Sequence, residues 1–161
     1  MKQQTDNSSY LESPFMEIAI EEAKNAADSG EIPVGAVIVE RSSGNIVAKA
    51  SNRTKSDRRA IAHAEMIAIE KAMQKLNSEW LTGCDIYVSL EPCPMCAHAI
   101  SLARIDRLYF AASDTKGGGV ENGPRVFDSS SCNHKPEIYS GIKELESSSL
   151  LKQFFQSKRS N

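Results

Sequence analysis

The chain has 161 residues, 40% hydrophobic and 25% charged, with a formal net charge of -2. This length suits one domain that buries about two-thirds of its unfolded surface, and the composition excludes disordered, collagenous and membrane-embedded classes. A near-neutral charge does not suit a protein coated in nucleic acid, though it leaves room for a local basic patch. Residues 1–12 are polar and read as a flexible tail without the apolar segment of a secretory signal, so a cytoplasmic location is expected. Residues 13–161 read as a single domain, and no run reaches membrane-spanning length. In a reducing compartment the four cysteines are ligands or core residues rather than disulfides.

Ser13 as N-cap and Pro14 at the first helical position open a helix whose apolar residues Met16, Ala19, Ile20, Ala23 and Ala27 recur at helical spacing up to Gly30. Residues 33–39 and 46–50, separated by turn residues at 42–45, predict a hairpin. A second helix begins near Ala62, with an apolar stripe of Met66, Ile69, Met73 and Leu76, while Glu70, Lys71 and Lys75 face water. Residues 86–90 read as a buried strand. Pro92 and Pro94 bracket the start of a third helix through Ala97, Ile100 and Leu102, and residues 108–112 read as a further strand. Gly117, Gly118, Gly119 and Gly123 mark a loop, residues 137–139 a brief strand, and a last helix carries Leu145, Leu150, Leu151, Phe154 and Phe155. Helices alternating with apolar strands predict an α/β layered sheet.

His63-Ala64-Glu65 says little by itself. Joined to Pro92-Cys93-Pro94-Met95-Cys96 it is a coincidence of about one in a thousand on residue counts. Cys93 and Cys96 lie one helical turn apart, and both halves of the motif fall at predicted helix starts, where free N–H groups and the helix dipole favour thiolates. Two thiolates and the His63 imidazole make three protein ligands. That is the pattern of a catalytic zinc, because a structural one takes a fourth. Two thiolates formally neutralise Zn²⁺ and weaken its acidification of water, so a proton acceptor is needed nearby. Glu65 is placed to take the proton of the attacking water, deliver it to a ring nitrogen and help ammonia leave. The alternative is a CxxC helix cap with His63 and Glu65 as unrelated surface residues.

A HxE with PCxxC and a non-ligand glutamate marks the zinc nucleobase deaminases. At these residues the chain resembles the cytidine deaminase-like superfamily, and more closely the bacterial tRNA-specific adenosine deaminases. Pro33-Val34-Gly35-Ala36-Val37, Asn52-Arg53, the two metal motifs, Asn133-His134 with Glu137-Ile138, and the terminal Leu150-Leu151, Phe154-Phe155 and Lys158-Arg159 follow the family's order. The resemblance implies a three-layer α/β/α sandwich around a mixed sheet of about five strands. It also implies one zinc per chain, a homodimer, and conversion of adenosine to inosine at the wobble position of a tRNA anticodon stem-loop.

By the same resemblance Asn52 hydrogen-bonds the flipped base or its ribose, and Asp114 contacts RNA. A turn asparagine and a solvated loop aspartate are the plain alternatives. Arg53, Lys55, Arg58 and Arg59 gather beside His63 and read as phosphate contacts or as a solvated basic loop. Phe154 and Phe155 stack on a base, or pack the helix on the sheet. His98, inside the third helix two residues beyond Cys96, reads as packing or making one hydrogen bond rather than binding metal, and Cys84 and Cys132 lack ligand spacing and read as core or loop thiols. Residues 57–62 and 117–123 depart from the usual tRNA-enzyme pattern, and the metal motifs are shared with cytosine, cytidine and guanine deaminases. A free-base or nucleoside deaminase acting on guanine or cytosine is therefore the second reading. A non-catalytic zinc module is the third, which an intact Glu65 opposes.

Overall fold

A computed structural model of the chain describes residues 14–159, so the expected tail and the Ser13 cap lie outside the described residues. In chain order the elements are α1 (Pro14–Asp28), β1 (Gly35–Glu40), β2 (Asn45–Ser51), α2 (Ala64–Leu76), β3 (Cys84–Leu90), α3 (Pro94–Leu102), β4 (Arg107–Ala112), a 3-10 turn (Val126–Asp128), β5 (Glu137–Ser140) and α4 (Glu144–Arg159). The strands form one five-stranded sheet in the order β2-β1-β3-β4-β5. The β1–β2 hairpin and the β1–β3 pair are antiparallel, while β3–β4 and β4–β5 are parallel, so the sheet is mixed.

The central strands read as unbroken apolar runs because helices cover both of their faces. Ala36, Ile38, Ile86, Val88, Leu108 and Phe110 turn towards the core shared with α2 and α3. Val37, Val39, Tyr87, Tyr109 and Ala111 turn the other way, onto Met16, Ala19 and Ile20 of α1. On that second face α4 packs beside α1 against β4, which completes the three-layer α/β/α sandwich. Among the described residues no helix is long and apolar enough to cross a membrane.

The buried face of α2 differs from the expected one. In α2 the buried positions are Ala64, Glu65, Ala68, Ile69 and Ala72. Met66 and Met73 are half-buried and Leu76 is exposed. The small alanines let the helix axis approach the sheet, and the bulkier Met73 packs at the margin of that core. Leu102, the last residue of α3, and Leu145, the second of α4, are 69% and 84% exposed.

The topology gathers chemistry at one end of the sheet. Because Gly35 pairs with Ser51 and Ala36 with Val88, the end of β2, the start of β1 and the end of β3 share an edge, and β4 ends there too. The amino termini of α2 and α3 point to this edge, the usual ligand site of open α/β sheets.

Candidate active site and metal centre

His63 is the N-cap of α2 and Cys93 the N-cap of α3, with Pro94 following at the first helical position. Neither side chain is spent on capping its helix, so both turn towards one another. His63 Nδ1 lies 3.6 Å from Cys93 Sγ and 3.5 Å from Cys96 Sγ. A tetrahedral zinc with bonds of about 2.0–2.3 Å spans nitrogen–sulfur edges of about 3.6 Å, so the three side chains fit the ion as they stand. All three donor atoms lie within 4.8 Å of one another.

The electrostatics agree with that donor set. Cys93 is the anion of the thiol pair: hydrogen bonds from Cys96 and then His63 pull it down to about 4, against burial. Cys96, donating to that thiolate, is pushed far above its usual range. The Cys93 thiolate in turn raises His63. Two thiols this close share a proton that a metal displaces, so zinc binding releases it.

Glu65, at the second position of α2, is 3% exposed and lines the same cavity as His63 and Cys93. Burial pushes its carboxyl above the usual range. Its Oε1 has no hydrogen-bond partner among the described residues. An unpaired buried oxygen costs about 1–3 kcal/mol, and at a cavity wall beside three metal ligands that cost points to a partner arriving with the reaction.

The cavity measures about 820 Å³, within the range of small-molecule sites. Asn52 stands in its wall, 7% exposed, with long hydrogen bonds of 3.4 Å to Ile32 O and from the Thr54 N–H. Asp114 lines the mouth, where its Oδ1 accepts the N–H groups of Lys116 and Gly117 at 3.1 and 2.9 Å. Arg53, Arg58 and Arg59 stand apart from the lining. Arg53 is committed to Asp57 through two hydrogen bonds of 3.0 and 2.9 Å, while Arg58 and Arg59 are exposed. Phe154 is buried away from the cavity, and its neighbour Phe155, 44% exposed, lines it together with Leu151 and Arg159. The four-residue spacing of Leu151, Phe155 and Arg159 was the available signal for this face of α4. His98 is exposed on α3 and Cys84 is buried in β3, its thiol raised to about 11 by burial; neither joins the metal group.

Sequence reasoning missed two buried carboxylates that hold loops, Glu31 and Glu91. Glu31, 1% exposed, accepts the N–H groups of Lys55 and Ser56 and the hydroxyls of Thr54 and Ser56. Glu91, 2% exposed, gathers the loop after β4 in the same way. No local pattern marks either one, since their backbone and side-chain donors lie far along the chain.

The cytidine and deoxycytidylate deaminase zinc-binding region matches residues 10–112. A tRNA-specific adenosine deaminase of Agrobacterium fabrum is 50% identical over 145 residues, covering 90% of this chain and 94% of that protein. A solved tRNA deaminase, studied for adenosine-to-inosine editing at the wobble position, superposes with a TM-score of 0.83 at 49% identity, over 85% of this chain and 98% of the other. The Bacillus subtilis guanine deaminase is more distant, with a TM-score of 0.61 and 31% identity over 91% of this chain and 92% of that one. With the zinc-fitting triad and the unpaired glutamate between two helix N-termini, these likenesses make the protein a zinc-dependent hydrolytic deaminase that belongs to the cytidine and deoxycytidylate deaminase family and groups with its tRNA-specific adenosine deaminases.

Proposed function

We propose that the protein converts adenosine to inosine at the wobble position of a tRNA anticodon loop, water entering and ammonia leaving. The observation that carries the chemistry is Glu65 Oε1, buried and unpaired in the cavity that holds His63 and Cys93. Zinc, when bound by His63, Cys93 and Cys96, supplies a Lewis acid that makes water nucleophilic near neutral pH. Glu65 takes a proton of the attacking water at Oε1 and hands it to the ring nitrogen of the base, then takes the remaining proton of that oxygen and gives it to the departing amine. Asn52 holds the base or its ribose, Asp114 meets the RNA at the mouth, and Phe155 offers the exposed ring for stacking. Arg53, Arg58 and Arg59 serve the phosphates around the loop. The partners in this reading are a tRNA anticodon stem-loop and a second copy of the chain, in the cytoplasm.

The substrate rests on identity near 50% to a tRNA-specific deaminase along 90% of this chain. A free guanine deaminase is the second reading, favoured by the 31% identity to the Bacillus subtilis enzyme. Zinc-loaded protein assayed side by side on an anticodon stem-loop, free guanine and free cytosine separates the two. Ammonia release fastest with the stem-loop supports the first, and faster turnover of a free base replaces it with the second.

A further inference from the structure

The Glu91 carboxylate receives six hydrogen bonds, all from neutral donors. Oε1 accepts the Asp114 N–H at 3.1 Å, the Ser113 hydroxyl at 3.3 Å and the Asn122 side-chain amide at 2.6 Å. Oε2 accepts the backbone N–H groups of Val120, Glu121 and Asn122 at 3.1, 3.1 and 3.2 Å. Burial opposes the anion, yet these donors outweigh it and hold the carboxyl below its usual range. One side chain therefore ties both ends of the loop at residues 113–122 to the segment that carries Cys93.

The loop is also pressed against that segment directly. The Gly119 N–H donates to Pro92 O at 2.8 Å, and a Cβ at Gly119 would stand 2.6 Å from the Pro94 nitrogen. A Cβ at Gly118 would collide with Glu91 Oε2 itself. The two glycines let backbone approach where any side chain would hold the loop away. Asp114, whose N–H is fixed by Glu91, projects at the cavity mouth beside Gly117.

We infer that Glu91 is a positioning residue for substrate binding: it locks residues 113–122 onto the metal-ligand turn and so sets Asp114 at the mouth of the cavity. The inference rests on the proposed reading that this cavity takes an RNA loop. Only a carboxylate satisfies the ring of donors. An amide of the same size turns two hydrogens towards three backbone N–H groups in one orientation, and towards Asp114 N–H and the Asn122 amide in the other.

The test is a mutant cycle on zinc-loaded protein: Glu91→Gln, Asp114→Ala and the pair, with Glu91→Asp as the conservative variant. Glu91→Gln should raise KM for the stem-loop by about tenfold, as expected for losing hydrogen bonds to a buried anion, and lower kcat by no more than about threefold. Because the effect runs through Asp114, the double variant should be no worse than the poorer single one by more than about twofold. Glu91→Asp, which keeps the anion, should recover part of the KM. Hydrogen exchange at Asp114, Val120, Glu121 and Asn122 should speed up in Glu91→Gln while β3 keeps its protection. Unchanged exchange overturns the inference, as do losses that multiply in the double variant or a KM like that of the parent. If the parent itself ignores the stem-loop, the substrate reading fails, and the exchange measurement still decides whether Glu91 holds the loop.

Discussion

At the floor of the cavity the reactive groups hang from helix N-termini, while at its rim they hang from loops that buried carboxylates hold from behind. His63 and Cys93 are N-caps, and Cys96 and Glu65 stand in the first turns of α3 and α2, so their relative positions follow from two rigid helices docked on one sheet edge. The rim has no such frame. Residues 54–56 are tied to Glu31, and residues 113–122 to Glu91. Chemistry that must hold a metal to fractions of an ångström sits on regular structure, and recognition of a larger, variable partner is left to loops.

The largest effects should fall at the floor. Cys96→Ala leaves two protein ligands, so zinc should be lost with all measurable activity, as metal analysis by atomic emission would record. Glu65→Gln should keep the zinc and the fold. Its kcat should drop by about ten-thousandfold, because one group serves proton transfer more than once per turnover. A drop below about tenfold removes Glu65 from the proton path.

Next in size is the rim's basic side. Glu31→Gln replaces an anion held by two backbone N–H groups and two hydroxyls, which should cost about 2 kcal/mol of stability in urea titration at neutral pH. The sign of its pH dependence follows from the depressed carboxyl: burial raises it, but the bonds from Ser56, Lys55 and Thr54 bring it below its ordinary value of 4.5. A carboxyl lowered on folding adds stability that is complete above the ordinary value and fades as pH falls through the folded one. The gap between parent and Glu31→Gln should therefore narrow in acid. A gap that widens there refutes the anionic tie between Glu31 and residues 54–56.

The same contrast explains what could be read from the chain alone. His63, Glu65, Cys93 and Cys96 were legible because their spacing is local and the helix starts they occupy have their own signals, Pro94 above all. The sheet was legible because Val-rich β1 and apolar β3 and β4 are short runs between turn residues. The α2 stripe was misread because Ala64, Ala68 and Ala72 carry little hydrophobic weight in a pattern yet make the closest contact. Phe154 and Phe155 looked alike as neighbours, and a one-residue step turns a helical side chain by about 100°, enough to bury one and expose the other. Glu31 and Glu91 were invisible because their donors come from residues 23 or more positions away for the first and 22 or more for the second.

Those two phenylalanines give a smaller effect that separates packing from recognition. Phe155→Ala should weaken stem-loop binding by about 1–3 kcal/mol, the value of a lost base stack, and leave thermal stability nearly unchanged. Phe154→Ala should do the reverse, since Phe154 is buried, 8% exposed, and outside the cavity lining. Equal losses of binding in both would return the stacking role to the pair.

The smallest effect belongs to Arg58 and Arg59, and it is the one that tests whether the rim meets phosphate. The backbone N–H groups of Arg58 and Arg59 close the turn onto Lys55 O and Thr54 O, with Arg58 at φ 51, a left-handed conformation that a non-glycine residue adopts only under constraint. This turn sends two exposed guanidiniums outward while Arg53 stays on Asp57. A charge already paired must break its pair before it can meet a phosphate, so Arg53 contributes less than its neighbours. Each single-strand phosphate contact adds about 0.7 to the slope of log Kd against log salt, so neutralising Arg58 and Arg59 together should flatten that slope by about 1.4. Arg53→Ala should flatten it by less. Turnover of a free nucleoside, which has no phosphate to meet, should be indifferent to both. A slope unmoved by the double substitution would leave these arginines as a solvated turn and shift the search for phosphate contacts to Lys116 and Arg159, which line the cavity.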